Sequence, residues 1–342
     1  MIIEHPTRED LQKAAIRLKE GHLLAFPTET VYGLGADADN ANAVSQIFEA
    51  KGRPKDHPLI VHIGDAQSAE HFARDVPAFA KTLMQHFWPG PLTLILHKKT
   101  EVANAASGGH ASIGLRMPAH DLALSLLAHS KHLGIWGIAA PSANRFGRVS
   151  PTTAQHVLEE FESDLMILDG GPCQIGIEST IVDCTREQPI VLRPGQLSLA
   201  SIEHVLGQKM YMQLIDQELD PSPEMSALAP APQASGRLLS HYAPEAKVVL
   251  FDAHDLRAFL TSHQSPSGEI IGVWSTQDLS HLSAPFLYKP MPSDAAACAH
   301  ELFSVLRAFD KAGAAQIWIE RPPPLGEWLG IHDRLKRASS GQ

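Results

Sequence analysis

Apolar and polar positions follow two periods in this chain, and its first part switches between them repeatedly. Leu11, Ala14, Ala15 and Leu18 recur at the spacing of a buried helix face, after Thr7 and Asp10 in a capping-box arrangement and before a stop at Gly21. Residues 23–26 read as a short buried strand that runs into a Pro-Thr-Glu-Thr loop. Asn42 is placed to cap a second helix carrying Val44, Ile47 and Phe48 and ending near Gly52. Apolar runs at 59–63, 92–96, 113–115, 134–140, 165–168, 180–182 and 190–192 read as strands. Helical patterns lie between them at 78–87, 122–129 and 153–161, and 201–206 reads as a closing helix. Interleaving of this kind predicts an α/β domain with a mixed sheet.

The pattern breaks near Gly207. Pro221, Pro223, Pro230 and Pro232 fall within 220–236, where no apolar period runs, so the segment reads as an extended linker. Strand candidates then return at 247–251, 270–274 and 316–320, with helix candidates at 255–260 and 295–308. The expected organisation is a domain over 1–207, a linker over 208–244 and a smaller α/β domain over 245–342.

Composition narrows the function. With 342 residues, 44% hydrophobic and 19% charged, the chain can bury a core in each of two domains. Lys and Arg number 28 against 38 Asp and Glu, a formal charge of −10. That balance argues against a dedicated nucleic-acid binder, which needs clustered cations, although a local basic cleft is compatible with it. No apolar run approaches the ~18 residues of a membrane span, and the N-terminus lacks the basic-then-apolar order of a secretory leader. Cys173, Cys184 and Cys298 are scattered, as expected of a protein in a reducing cytoplasm. The sequence has no Gly-Lys dipeptide, no GxGxxG after the first strand, no HExxH and no GxSxG.

Four segments still carry chemistry. PTETVYG (27–33) crowds hydroxyls and a carboxylate at a strand end, where open α/β sheets place ligands; it also reads as a capped turn. KGRPKDH (51–57) sets Lys51 and Arg53 on a turn freed by Gly52, suited to clamping a polyphosphate or simply to complementing a helix dipole. His62 follows on the next strand. SIGLRMP (112–118) offers the planar fork of Arg116 to a carboxylate or phosphate, or to solvent. APSAN (140–144) alternates Ser142 and Asn144 with small residues, as a phosphate-binding edge or an Asx turn would. Smaller candidates are EST (178–180) and LRPG (192–195).

In this order, PTETVYGLG, KGRP with PLIVHI, GLRMP, APSAN, ESTIVD and LRPG resemble the YrdC-like domain of the threonylcarbamoyl-AMP synthase family. SHYAP (240–244) and the alternating tail resemble its long, two-domain form. The resemblance implies a twisted open mixed sheet with helices around a deep cleft, plus a smaller Rossmann-like α/β C-terminal domain. It implies that L-threonine, bicarbonate or CO2, and ATP give threonylcarbamoyl-AMP and pyrophosphate. A separate tRNA threonylcarbamoyl transferase complex would then modify adenosine 37 of tRNA, which the chain would serve only indirectly. By the same resemblance Thr30, His62, Arg116, Ala140 and Thr180 face threonine. Lys51, Arg53, His57, Ser112, Ser142, Asn144, Ser150 and Arg193 face ATP, with Lys51, Arg53, Ser142 and Asn144 as the catalytic signature. Mg2+ is expected to travel with the triphosphate. The linker, with Ala234, Ser235, His241 and Tyr242, is expected to act as a lid. Two positions depart from the family pattern: His57 stands where Asn is frequent, and Ala234 and Ser235 replace the Ser and Pro of a Ser-Pro-Gly-Met-type segment. The alternative function is an RNA-binding module that recognises tRNA or double-stranded RNA; the charge of −10 weighs against it.

Overall fold

Thr7 opens the first helix with a complete capping box. Its hydroxyl accepts the Asp10 N–H, and the Asp10 carboxylate accepts the Thr7 N–H at 3.0 Å. The computed structural model in which this is seen describes residues 1–161, 164–213, 232–234, 242–262 and 268–340. They fall into two units, Met1–Phe146 with Ser150–Arg237, and Gly147–Val149 with Leu238–Gln342.

In the first unit the strands are β1 (Ile2–Glu4), β2 (Leu24–Phe26), β3 (Gly33–Asp37), β4 (Ile60–His62), β5 (Ala73–Asp75) and β6 (Leu92–Lys98). They continue with β7 (Ser112–Arg116), β8 (Ile138–Ala139), β9 (Met166–Asp169), β10 (Thr180–Asp183), β11 (Ile190–Arg193) and β12 (Tyr211–Met212). The helices are α1 (Arg8–Lys19), α2 (Ala41–Lys51), α3 (Ala69–Phe72), α4 (Ala78–Phe87), α5 (Asp121–His132), α6 (Ala154–Glu160) and α7 (Leu199–Leu206). The strands join one mixed sheet in the order β1-β9-β2-β3-β8-β4-β7-β6-β10-β11-β12, with β5 added on β6. Leu11, Ala14, Ala15 and Leu18 of α1 pack with Leu126 and Leu127 of α5 on Leu24, Phe26 and Ile138. Val44, Ile47 and Phe48 of α2 and Leu83 and Met84 of α4 belong to a second apolar cluster with Leu94 and Leu115. A smaller cluster of Ile60, Ile95, Ile181, Ile190 and Leu192 is left for the face that carries the site.

Two sequence expectations are corrected here, and one strand is added. The α2 cap is Asn40, whose Oδ1 accepts the Ala43 N–H at 3.1 Å, so Asn42 lies inside the first turn. The apolar run 134–140 forms only the two-residue β8; Gly134 has φ +82, and a Cβ on Gly137 would sit 2.6 Å from Val61 Cγ1. After the expected Pro-Thr-Glu-Thr loop the chain forms β3, a strand not anticipated from the sequence, paired antiparallel with β2. Glycine in that strand has a steric reason, since a Cβ at Gly35 would meet Ile138 at 2.8 Å and Phe26 at 2.9 Å.

The second unit is built on β13 (Lys247–Phe251), β14 (Ile271–Ser275), β15 (Phe286–Pro290) and β16 (Gln316–Glu320), all parallel in the order β13-β16-β14-β15. Helices α8 (Ala253–Ser262), α9 (Ala295–Lys311) and α10 (Leu329–Ser339) accompany them. Parallel strands need such crossovers. Its core gathers Leu256, Ile271, Val273 and Leu279 around Trp318. The β15 strand and α10 were not anticipated from the sequence: β15 has little alternation to show, and α10 mixes its apolar stripe with Asp333, Arg334 and Arg337, which bury as an ion-paired cluster. Among the described residues no helix is long and apolar enough to cross a membrane.

Candidate functional site

Strand register brings the predicted residues together. The β4 and β7 strands are parallel with Ile60 opposite Gly114 and His62 opposite Arg116. Side chains two apart share a face, so Ile60, His62, Gly114 and Arg116 all look the same way. Gly114 carries no side chain, and Ile95 Cδ1 packs over it, 3.2 Å from where a Cβ would stand. The β8 strand runs antiparallel to β4, with Val61 opposite Ala139, and the chain continues through Ala140, whose N–H donates to the Ile60 carbonyl at 2.9 Å. It therefore travels from the His62 end of β4 toward the Lys51 end, carrying Ser142 and Asn144 with it.

At the first end, Arg116 is 3% exposed and tightly held. Its Nη1 donates to Thr30 Oγ1 at 2.8 Å, its Nε donates to the Gly90 carbonyl at 3.3 Å, and its Nη2 lies 2.7 Å from Glu29 Oε2. Thr30 is fixed by Thr28, whose hydroxyl lies 2.8 Å from Thr30 Oγ1 and donates to the Val31 carbonyl at 2.7 Å. The neighbouring carbonyl of Pro91 accepts the Thr180 N–H at 2.9 Å, and the Thr180 hydroxyl donates to the Leu197 carbonyl. Arg116, Thr30, Thr180, Ala140 and His62 thus converge on one end of the sheet face.

His62 is buried there beside a guanidinium. Burial first, and the Arg116 charge second, push its imidazole down to about 3. The ring is therefore neutral across the physiological range, and its Nδ1 makes no hydrogen bond among the described residues. A histidine held neutral in the folded chain contributes stability in full above its ordinary value of 6.5 and loses it as pH falls from there toward 3. The loss should approach ~1 kcal/mol per pH unit in that window. Urea denaturation of wild type and His62→Gln between pH 7 and 4 tests this: the variant should show the flatter profile, and parallel profiles would contradict it.

At the other end, the last residue of α2 supplies the cation. Gly52 follows it with φ +65, the left-handed cap that lets the chain reverse and bring Arg53 alongside. Lys51 is 4% exposed; its ammonium donates to the Ser142 carbonyl at 2.6 Å and to the Asn144 carbonyl. The Lys51 carbonyl in turn accepts the Phe146 N–H. The two sequence motifs are thereby one structure, the 142–146 turn wrapped on Lys51. Burial, then the charge of Arg53, hold the Lys51 ammonium well below its usual range, and the carboxylates of Glu160 and Glu178 oppose that shift. Arg53 donates to the His57 and Pro58 carbonyls at 3.4 and 3.1 Å and lies over the Phe146 ring, 5.7 Å from its centroid. The His57 ring sits against the same phenylalanine, 5.6 Å between centroids.

Ser150 and Arg193 join through the EST segment. Ser150 Oγ donates to Glu178 Oε1 at 2.5 Å, and Arg193 donates to the Ser179 carbonyl through Nε at 3.1 Å and Nη2 at 2.9 Å. This depends on Gly195, since a Cβ there would stand 2.5 Å from the Thr180 nitrogen and 2.7 Å from the Glu178 carbonyl oxygen. Ser112 stands apart from Arg116, at the opposite end of β7, roughly 13 Å away for four residues of extended chain. It adjoins the loop where His110 meets the Asp56 carbonyl, hence the Lys51–His57 side. Ala234 packs on the Ile60, Ile95, Ile181, Ile190 and Leu192 cluster, on the His62 face of the sheet. Tyr242, with φ +63 and 1% exposed, stacks on Phe303 under Arg334 in the second unit. Ser235 and His241 lie outside the described residues. Sequence reasoning gave no role to Glu29, Ser179 or Glu178, which turn out to hold Arg116, Arg193 and Ser150; their positions inside motifs already singled out were the available signal.

The chain is similar to known proteins over most of its length. A family model described as "Telomere recombination" matches residues 17–195, and one described as "Threonylcarbamoyl-AMP synthase, C-terminal domain" matches 197–340. The chain is 38% identical to a threonylcarbamoyl-AMP synthase of Pyrococcus abyssi, over 97% of its own length and 96% of that protein. It is 39% identical to the Bacillus subtilis one, over 97% and 93%. The crystal structure of Pyrococcus abyssi Sua5 complexed with L-threonine superposes with a TM-score of 0.85 at 38% identity, covering 99% of this chain and 97% of that one. In sequence and in fold, across both units, the chain belongs to the threonylcarbamoyl-AMP synthase family.

Proposed function

We propose that this enzyme condenses L-threonine, bicarbonate (or CO2) and ATP into L-threonylcarbamoyladenylate, releasing pyrophosphate. The observation that carries the reading is the shared face of β4 and β7 with His62 and Arg116 side by side at its C-terminal end, together with the Lys51–Arg53 turn that precedes β4 and is wrapped by the 142–146 turn. The amine of threonine becomes a carbamate, and a carbamate oxygen attacks the α-phosphorus of ATP. Both partners are anionic, so the demand on the protein is charge neutralisation and alignment rather than a covalent nucleophile. Arg116 and Thr30 take the amino-acid carboxylate, with Thr180 and the Ala140 backbone bordering the same end. Neutral His62 offers its unpaired Nδ1 to the threonine or its carbamate without adding charge.

Lys51, with one N–H beyond those on Ser142 and Asn144, and Arg53 take the phosphates and stabilise charge as pyrophosphate leaves. Ser142, Asn144, Ser150, Arg193, Ser112 and His57 border the nucleotide. Mg2+ enters as part of the nucleotide substrate, on phosphate oxygens and water. The segment at Ala234 borders the site; the packing of Ala234 on the Ile60 cluster supports this. The product passes, in the cytoplasm, to a tRNA threonylcarbamoyl transferase complex, so tRNA is served indirectly.

The test is pyrophosphate release from ATP. It should require L-threonine and bicarbonate together, with the adenylate found by mass spectrometry. ATP turnover indifferent to either co-substrate would contradict the assignment.

A further inference from the structure

The Lys51 amino group has three acceptors to serve in the proposed reaction: the Ser142 carbonyl, the Asn144 carbonyl and a phosphate oxygen. An ammonium offers three N–H donors and a neutral amine two, so the carbonyls alone would exhaust the neutral form. Burial and the neighbouring Arg53 charge both favour that neutral form. The site therefore needs negative charge close to Lys51, and the carboxylates of Glu160 and Glu178 supply it. Glu178 is engaged by the Ser150 hydroxyl at 2.5 Å. Glu160 is engaged by the turn that wraps Lys51.

Glu160 is the last residue of α6, where a carboxylate meets the negative end of the helix dipole. Compensation comes from Arg145. Its backbone N–H donates to Glu160 Oε2 at 3.0 Å, and its Nε donates to the Glu160 carbonyl at 3.3 Å. Arg145 lies between Asn144, whose carbonyl takes the Lys51 ammonium, and Phe146, whose N–H donates to the Lys51 carbonyl. The Glu160 carboxylate thus grips the middle residue of the turn. We propose that Glu160 is a positioning residue of the nucleotide end, whose carboxylate fixes the 144–146 turn on Lys51 and keeps Lys51 an ammonium with one N–H left for phosphate. The proposal rests on the reading of Lys51 as a phosphate-binding residue. Arg53 opposes protonation of Lys51, and Glu160 and Glu178 favour it. Arg145 faces Glu160 from the turn, and the exposed Glu159 precedes it on α6.

Calorimetry on the full chain with Mg2+ and a non-hydrolysable ATP analogue, between pH 6 and 9, tests both halves, with L-threonine binding at neutral pH as the control. Glu160→Gln keeps an oxygen for the Arg145 N–H and removes the charge. At the acidic end it should bind the analogue as wild type does, and its alkaline fall in affinity should begin at least about half a pH unit lower. Glu160→Ala removes the oxygen as well. It should bind the analogue about fivefold more weakly already at the acidic end, with faster amide exchange at Arg145 and unchanged threonine affinity. A wild-type pH profile in Glu160→Gln overturns the charge role, and wild-type affinity at the acidic end in Glu160→Ala overturns the clamp. Equal losses of threonine and analogue binding would mark Glu160 as merely structural and overturn the proposal. Wild type that does not bind the analogue would instead reject the nucleotide site itself.

Discussion

Arg116→Ala is expected to abolish threonine-dependent pyrophosphate release, by at least about 100-fold in kcat/KM, because truncating one partner of a buried charged contact costs roughly 2–5 kcal/mol. ATP affinity should hold, since Lys51 and Arg53 are fixed by a different set of bonds. The same substitution leaves Glu29 buried with no counter-charge, which should lower stability by roughly 3–5 kcal/mol. The double variant Arg116→Met with Glu29→Gln separates the two effects. Removing both charges should restore most of the stability and none of the activity. Paired thermal unfolding and steady-state assays read both. Wild-type turnover in Arg116→Ala would refute the role of this residue.

Lys51→Ala should be comparably severe for a different reason. The ammonium is the donor to the Ser142 and Asn144 carbonyls, so its loss frees two acceptors as well as a phosphate ligand. Each buried acceptor left without a donor costs roughly 1–3 kcal/mol. The loss should therefore appear as weaker ATP binding, lower turnover and a less stable 142–146 turn, seen as faster amide exchange at Phe146. Threonine binding at the Arg116 end should change little. An Ala variant with normal ATP affinity would contradict the account.

Much of this was legible in the residues. The α1 cap and stripe, the strands around Ile60, Leu94, Ile181 and Val191, and the interleaved pattern follow from period and capping chemistry alone. Ordered motifs supplied the candidate residues. What the sequence could not supply was register. That His62 sits opposite Arg116, and that the Ser142–Asn144 turn closes on Lys51 from a strand running the other way, are consequences of pairing between segments far apart in the chain. The β3 strand was hidden because close approach by Phe26 and Ile138 demands glycine where strand propensity would ask for a branched side chain. The Glu29 carboxylate was singled out with its motif, but its burial against Arg116 was not legible, because a carboxylate in a turn reads as exposed. The second unit yielded its strands to the same reasoning, but α10 did not: Asp333 and its two arginines pair with one another, so charged positions there are interior ones.

The central claim is that one sheet face holds the amino acid and the nucleotide end to end. A crystal structure with L-threonine and a non-hydrolysable ATP analogue bound together tests it most directly. The account predicts the threonine carboxylate on Arg116 and the triphosphate on Lys51 and Arg53. Ligands on opposite faces of the sheet, or a triphosphate away from Lys51, would contradict it.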